Sequence, residues 1–440
     1  MSRGPYREAY LWYVVLFLTA ASTLAYIDRQ ILALMVGPVK RDLGLTDTQI
    51  GLLVGLAFSL FYCAVTVPMA WLADTRSRRT VIGAGILAWS GLTALSGLAR
   101  SYLELFLARM GVGLGEATLG PSAYSLLADL FSKERLPFAV GVFAAAPFIG
   151  IGLANIVGGS VVQVLENMPP IEVPLVGAVR SWQMTFFVLG IPGVMLALLA
   201  WTIAEPSRRG RAKGTELAQG APWSDVIRFM RERRAFFALH FLGFLGLAMQ
   251  GWTVFAWVVE FFVRNHGMSR ADIGMAYGLI ALGAGLPGSI IAGRIATALL
   301  RRGTPDATLR LVILATCVMG PLSVVMPFVD APWGALALLV PITFFMSWPP
   351  GLGVAALQAV APNELRGRVI ACYLLFVNFL SFTLGPLLVG FFNDSIFQSE
   401  AAIGRTLATL AALNYPFAAV CLLLCLRQFR SALQSSLAWQ

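Results

Sequence analysis

Four ionisable residues, Asp28, Arg29, Arg109 and Glu116, stand deep inside otherwise apolar runs of the sequence. A charge in hydrocarbon costs at least about 2.5–3.5 kcal/mol on insertion scales, so such residues face protein or water and usually have a task. All four lie in the N-terminal half. An arginine's planar fork bonds two oxygens of a phosphate or carboxylate at once, and a carboxylate beside it can exchange a proton. The chemistry on offer is capture of an anion by Arg29 and Arg109, with protons carried by Glu116 or Asp28. The opposing reading makes the four a mutually neutralising network that only holds its helices together. Covalent chemistry is not expected. His240 and His266 are too few for a histidine-built metal site, and neither has the companions of a nucleophile. No metal or cofactor is expected beyond protons as the coupling ion.

The elements that must position these residues follow from composition. Hydrophobic residues make up 58% of the 440 and charged residues 12%, with a mean hydropathy of +0.77. That composition excludes an ordinary soluble enzyme. Apolar runs fall at 11–36, 49–72, 80–99, 102–130, 137–164 and 182–203, and again at 235–263, 271–300, 307–329, 333–360, 366–392 and 404–427. Each suits a membrane-spanning helix of about 20 residues, so the expectation is an all-α membrane protein of twelve transmembrane helices. The first run is too long for a signal-peptide core and reads as helix 1. Cys63, Cys317, Cys372, Cys421 and Cys425 all fall in such runs and read as small hydrophobes rather than disulfides.

Orientation follows from the cations. Of the 32 Lys and Arg, 22 fall on the side holding both termini, 7 on the other, and Arg29, Arg109 and Arg294 within spans. Both termini are therefore expected in the cytoplasm, and the net charge of +10 needs no nucleic acid. The chain divides into a six-helix lobe at 1–203, a charged, partly helical linker at 204–234 and a second lobe at 235–440. The linker's Arg208, Arg209, Arg211, Lys213, Arg228, Arg231, Arg233 and Arg234 read as an orientation anchor; anionic-lipid binding is the rarer reading.

A shift of 223 residues aligns the halves. Gly44-Leu45-Thr46 falls on Gly267-Met268-Ser269, Ile50-Gly51-Leu52 on Ile273-Gly274-Met275, and Arg78-Arg79 on Arg301-Arg302. Two pseudo-symmetric lobes of parallel repeats are implied, as in carriers whose site lies where the repeats meet.

Helix 1 runs outward and helix 4 inward, which puts Asp28 and Arg109 each about 10–12 Å below the outer edge, so an Asp28–Arg109 pair is possible. Glu116, seven residues on, lies on the same face near the midplane. There Arg109 would balance Glu116 until an anionic substrate drew it away and a proton took its place. The C-terminal half offers aromatics instead: Phe344, Phe345 and Trp348, then Phe376, Phe379 and Phe382 at i, i+3, i+6 on a drifting face. Each reads either as packing or as surface for an apolar tail. A charged half and an apolar half suit a substrate with an ionic head and a greasy tail.

The loop Ala70-Trp71-Leu72-Ala73-Asp74-Thr75-Arg76-Ser77-Arg78-Arg79 resembles the major facilitator superfamily's G-x-L-a-D-r-x-G-r-r loop, with Ala70, Thr75 and Ser77 departing from it. Arg109-x-x-x-Gly113-x-Gly115 is similar to that family's helix 4 pattern, and Pro147-x-x-Gly150 weakly to its exporter motif. Within the superfamily the chain looks most like the Spinster family, through Tyr26-Ile27-Asp28-Arg29, Leu45-Thr46-Asp47-Thr48-Gln49-Ile50-Gly51-Leu52 and Arg109-Met110-Gly111-Val112-Gly113-Leu114-Gly115-Glu116-Ala117. The resemblance implies a carrier of lysophospholipids or sphingosine phosphates using alternating access, coupled to protons, with helices 1 and 4 lining its cavity. It also implies that Asp74 meets the start of helix 11, where the helix dipole favours a carboxylate. Asp74, Arg78 and Arg79, with Asp129 as a partner for either arginine, would then form a cytoplasmic latch. Thr297 stands where a second Asp74 would be, so one latch is expected. The remaining expectations are a functional monomer in a bacterial inner or plasma membrane, with membrane lipids and an amphipathic anion as partners. The alternative is a proton-coupled carrier of small carboxylates or sugar phosphates.

Overall fold

Lipid offers no hydrogen bonds, so a long apolar segment must satisfy its backbone internally and becomes a helix. The computed structural model describes residues 7–132, 135–166, 168–173, 177–206 and 223–437. Among them ten helices are long and apolar enough to cross a membrane. These are Glu8–Leu34, Asp47–Ala73, Phe138–Glu166, Ser181–Ala200, Arg234–His266, Arg270–Arg301, Ala307–Phe328, Pro332–Val360, Glu364–Ile396 and Glu400–Gln434. They are helices 1, 2 and 5 to 12. Helix 3 spans Arg78–Ser96; helix 4 runs Tyr102–Glu116 and resumes at Leu119–Leu130. These two are the less apolar because they carry the small and polar residues of the interior: Ser90, Thr93 and Ser96 in one, Arg109, Glu116 and Ser122 in the other, all buried.

The chain forms two compact units. The first comprises Met1–Arg211 with Met268–Leu279, the second Ala212–Gly267 with Ile280–Gln440. Each has its own apolar core. In the first, Leu18, Ile86, Trp89, Val112 and Leu126 meet; in the second, Phe236, Phe244, Trp348, Tyr373 and Phe429. Arg208, Arg209, Arg211 and Lys213 lie outside the described residues. The rest of the expected linker holds a helix, Trp223–Glu232.

The internal repeat is visible in the backbone. Gly44 and Gly267, 223 residues apart, both end a helix in the left-handed conformation, at φ +62° and +63°, which glycine adopts without a Cβ clash. The following helices both open on a hydroxyl cap: Gln49 N–H donates to Thr46 Oγ1 at 3.2 Å, and Asp272 N–H to Ser269 Oγ at 3.1 Å. The sequence reading missed a short antiparallel hairpin between helices 5 and 6, pairing Ile171 with Val179 and Val173 with Gly177. All five cysteines are free, as expected, but Cys317 is exposed rather than buried.

Candidate functional site

Helix 4 reaches its neighbours closely because it lacks side chains where they cross. A Cβ on Gly113 would stand 2.4 Å from the Phe58 carbonyl oxygen of helix 2, and one on Gly115 2.9 Å from the Trp89 nitrogen of helix 3. The helix breaks directly after Glu116: proline at 121 has no N–H for the Ala117 carbonyl, and Ala117–Thr118 form a turn. Backbone approach and break together set Glu116 beside helices 1 and 2.

There Glu116 meets Arg29. Arg29 Nε and Nη2 donate to the same oxygen, Glu116 Oε2, at 2.7 and 2.6 Å. Glu116 Oε1 is buried with no hydrogen-bond partner among the described residues. Three rings enclose the guanidinium: Tyr26, Phe58 and Tyr62, with centroids 4.8, 4.4 and 4.7 Å from its carbon. A ring face attracts a cation, more so away from water. Phe58 and Tyr62, one helical turn apart, stack at 5.1 Å.

The Asp28–Arg109 pair forms as expected, though loosely, at 3.3 Å. Arg109 Nη2 also donates to the Asp28 carbonyl at 3.4 Å, and Thr93 of helix 3 donates to Asp28 Oδ2 at 2.8 Å. Arg109 Nε is buried without a partner among the described residues. The partner of Glu116 differs from the expectation: it is Arg29, not Arg109. Seven residues separate 109 from 116, about 10 Å along the axis, beyond a direct contact. The adjacent Asp28 and Arg29 leave helix 1 in directions about 100° apart and each takes one helix 4 partner. None of the four is more than 8% exposed, and their formal charges cancel.

The latch residues divide. Arg78 is fully buried and pairs with Asp129 and, at 2.8 Å, with Glu205. It also donates to the carbonyls of Ser125 and Pro206 at 3.1 Å. Glu205 further accepts from Ser77 Oγ at 2.9 Å and Arg79 N at 3.1 Å. Burial alone would raise the Glu205 carboxyl, but these donors hold it below its ordinary 4.5. Arg79 reaches the Ile203 carbonyl rather than Asp129. The Asp74 side chain lies outside the described residues. Sequence reasoning missed Glu205, read only as a helix stop with Pro206, and the cage residues Phe58 and Tyr62, whose i, i+4 spacing in helix 2 was the available signal.

In the second unit, Phe344, Phe345 and Trp348 pack on one another with centroids 4.9–5.8 Å apart; Trp348 belongs to its core, and the half-buried Phe344 and Phe345 pack against it. Helix 10 breaks beside them, where Pro349 and Pro350 cannot donate to the turn before. Phe376 is exposed, Phe379 half-buried, and Phe382 buried against Trp252 at 4.0 Å. Among the described residues of this unit's spans, the buried charges are at helix ends, such as Glu260, which accepts from Arg264 at 2.8 Å. His240 approaches the Gly353 carbonyl at 3.2 Å, and no group of metal-ligating side chains occurs among the described residues.

Residues 18–426 match the Major Facilitator Superfamily. The chain is 28% identical to an MFS-type efflux pump of Mycolicibacterium smegmatis, covering 97% of this chain and 94% of that one. It is 24% identical to a probable L-galactonate transporter of Escherichia coli, over 92% and 88%. It is 26% identical to the sphingosine-1-phosphate transporter SPNS2 of Xenopus tropicalis, over 87% and 74%. The crystal structure of a bacterial homologue of the human lysosomal transporter Spinster, inward-facing and unoccupied, superposes with a TM-score of 0.77 at 22% identity. It covers 98% of this chain and 99% of that one.

Proposed function

The chain belongs to the Major Facilitator Superfamily, a multi-pass membrane transporter rather than an enzyme, and on that premise we propose that it is a proton-coupled carrier of an amphipathic anion such as a lysophospholipid or sphingosine phosphate. One observation carries the reading: Glu116 has one oxygen saturated by a caged arginine and the other buried without a donor among the described residues. Because Arg29 is almost wholly enclosed, an anionic head group reaches it only by displacing Glu116. The displaced carboxylate, left in a low-dielectric site without its cation, takes a proton. Substrate binding and protonation are thereby coupled at one guanidinium. Asp28 and Arg109 form the adjacent anion site. The partly exposed Phe376 and Phe379 of the second unit offer apolar surface to a tail, and Arg78 with Asp129 and Glu205 steadies the linker-side ends of helices 3, 4 and 6.

The test is transport into proteoliposomes under imposed pH gradients. Glu116→Gln, neutral in every state, should lose the pH dependence and the accompanying proton flux. If its pH profile matches that of the unaltered protein, Glu116 is not the proton site. The likeness to a probable L-galactonate transporter favours a second reading, a carrier of small organic anions on the same arginines. Thermal stabilisation by lysophosphatidylglycerol but not galactonate supports the lipid reading; the reverse supports the second.

A further inference from the structure

The helix at Trp223–Glu232 has a use that transport does not require. Only Arg233 separates it from helix 7, which starts at Arg234. Chain connectivity therefore holds it at the level where a membrane-spanning helix leaves the bilayer. Its rotation is fixed as well, because Val226 and Phe229 are buried in the second unit's core.

At about 100° per residue, the positions around this helix run Phe229, Val226, Met230, Trp223, Ile227, Arg231, Ser224, Arg228. The apolar arc is wider than the core it covers. Trp223 and Ile227, at its free edge, are 52% and 63% exposed. Arginines continue directly from that edge. Arg231 and Arg234 are exposed and make no ion pair among the described residues, and Arg228 is 3.9 Å from Asp225 with its side chain 71% exposed. Arg368, in the first turns of helix 11, lies over the Trp223 ring at 5.4 Å. The acids on the helix are Asp225 and Glu232, and Glu232 is engaged by Arg233 at 3.3 Å.

We infer that this helix is an interfacial lipid-binding element, seated on the anionic headgroups of the bordering leaflet with Trp223 and Ile227 in the headgroup–acyl boundary and Arg228, Arg231 and Arg234 on lipid phosphates. A soluble phosphate would satisfy the arginines but leave the exposed Trp223 and Ile227 in water. A bilayer surface satisfies both, and tryptophan and arginine are the residues that such a boundary selects.

Hydrogen–deuterium exchange of the full chain in nanodiscs tests this, read on the peptide covering 223–234. Discs of phosphatidylcholine are compared with discs in which about one-third of the lipid is phosphatidylglycerol. Exchange should slow in the anionic discs. Each arginine at an anionic surface is worth about fivefold in binding, so Arg228→Gln, Arg231→Gln and Arg234→Gln together should weaken the lipid-dependent protection about 100-fold. Trp223→Ser should weaken it too; if it changes nothing, the apolar half of the seat is wrong. Equal protection in both lipids overturns the proposal. So does equal protection from soluble glycerol phosphate in phosphatidylcholine discs, which would mark a free-anion site. All the substituted side chains are exposed, and an unaltered melting temperature shows that the variants remain folded.

Discussion

The two halves of the chain carry the same turn and cap, yet the two units fill their interiors differently. Gly44 and Gly267 share a left-handed φ, and Thr46 and Ser269 share a cap. At the position following each cap, however, the first copy of the repeat carries Asp47 and the second Arg270. The first unit buries two arginine–carboxylate pairs within its spans; the core of the second is rich in Phe, Tyr and Trp. Backbone geometry is what the two copies share, because turns and caps tolerate few residues.

The sharpest way to break this comparison is to remove one ion of a buried pair. Arg29→Ala leaves Glu116 uncompensated and should cost about 3–5 kcal/mol, read as a fall in detergent melting temperature with loss of transport. The double variant Arg29→Met, Glu116→Leu should regain most of the stability, since a well-packed apolar pair replaces a buried ion pair at little cost, yet remain inactive. A double variant that transports would make the pair a structural staple. Arg78→Gln comes next: its charge-assisted bonds to two carboxylates are worth about 1.5–3 kcal/mol, and the loss should appear as earlier unfolding and greater cysteine-label access near Ser77. Gly113→Ala should cost about 1–3 kcal/mol by overpacking and slow transport by pushing helix 4 away from the Phe58 backbone. Phe376→Ala should change the melting temperature least, within about 0.5 kcal/mol for an exposed side chain, while weakening tail-length selectivity for lysolipids.

Acid sharpens the comparison in another way, because both units have a depressed carboxyl at their ends. Asp306 is desolvated, which raises its pKa, but bonds from Arg430 at 2.6 Å and Arg310 at 2.8 Å override that and hold it below its ordinary 3.8. Glu205 behaves alike in the first unit. A lowered carboxyl contributes stability above its unfolded value and loses it as pH falls through the folded one. Melting temperature should thus be flat between about pH 5 and 7 and fall below about pH 4; Glu205→Gln or Asp306→Asn should blunt that fall.

The membrane helices, the repeat and the four buried charges were legible because each is a one-dimensional signal: length in apolar residues, spacing, or a charge where lipid forbids one. Asp28–Arg109 was legible too, since helix direction and rise fix depth. Arg29 as the partner of Glu116 was not, because depth does not say which way a side chain turns about its helix. Glu205 was read as an ending, since nothing local reveals that a residue beyond helix 6 returns to the start of helix 3.

Composition and periodicity alone determined that this chain crosses a membrane many times in two related halves, with the charges deep within its spans in one of them. Those properties follow from the solvent, which acts on every residue independently. Tertiary structure decided which ions pair, that three rings close on Arg29, that one oxygen of Glu116 lacks a donor among the described residues, and that the helix 10 aromatics pack on one another and on the core. Pairing depends on rotation and close approach between helices far apart in the chain, and only the packed arrangement fixes those.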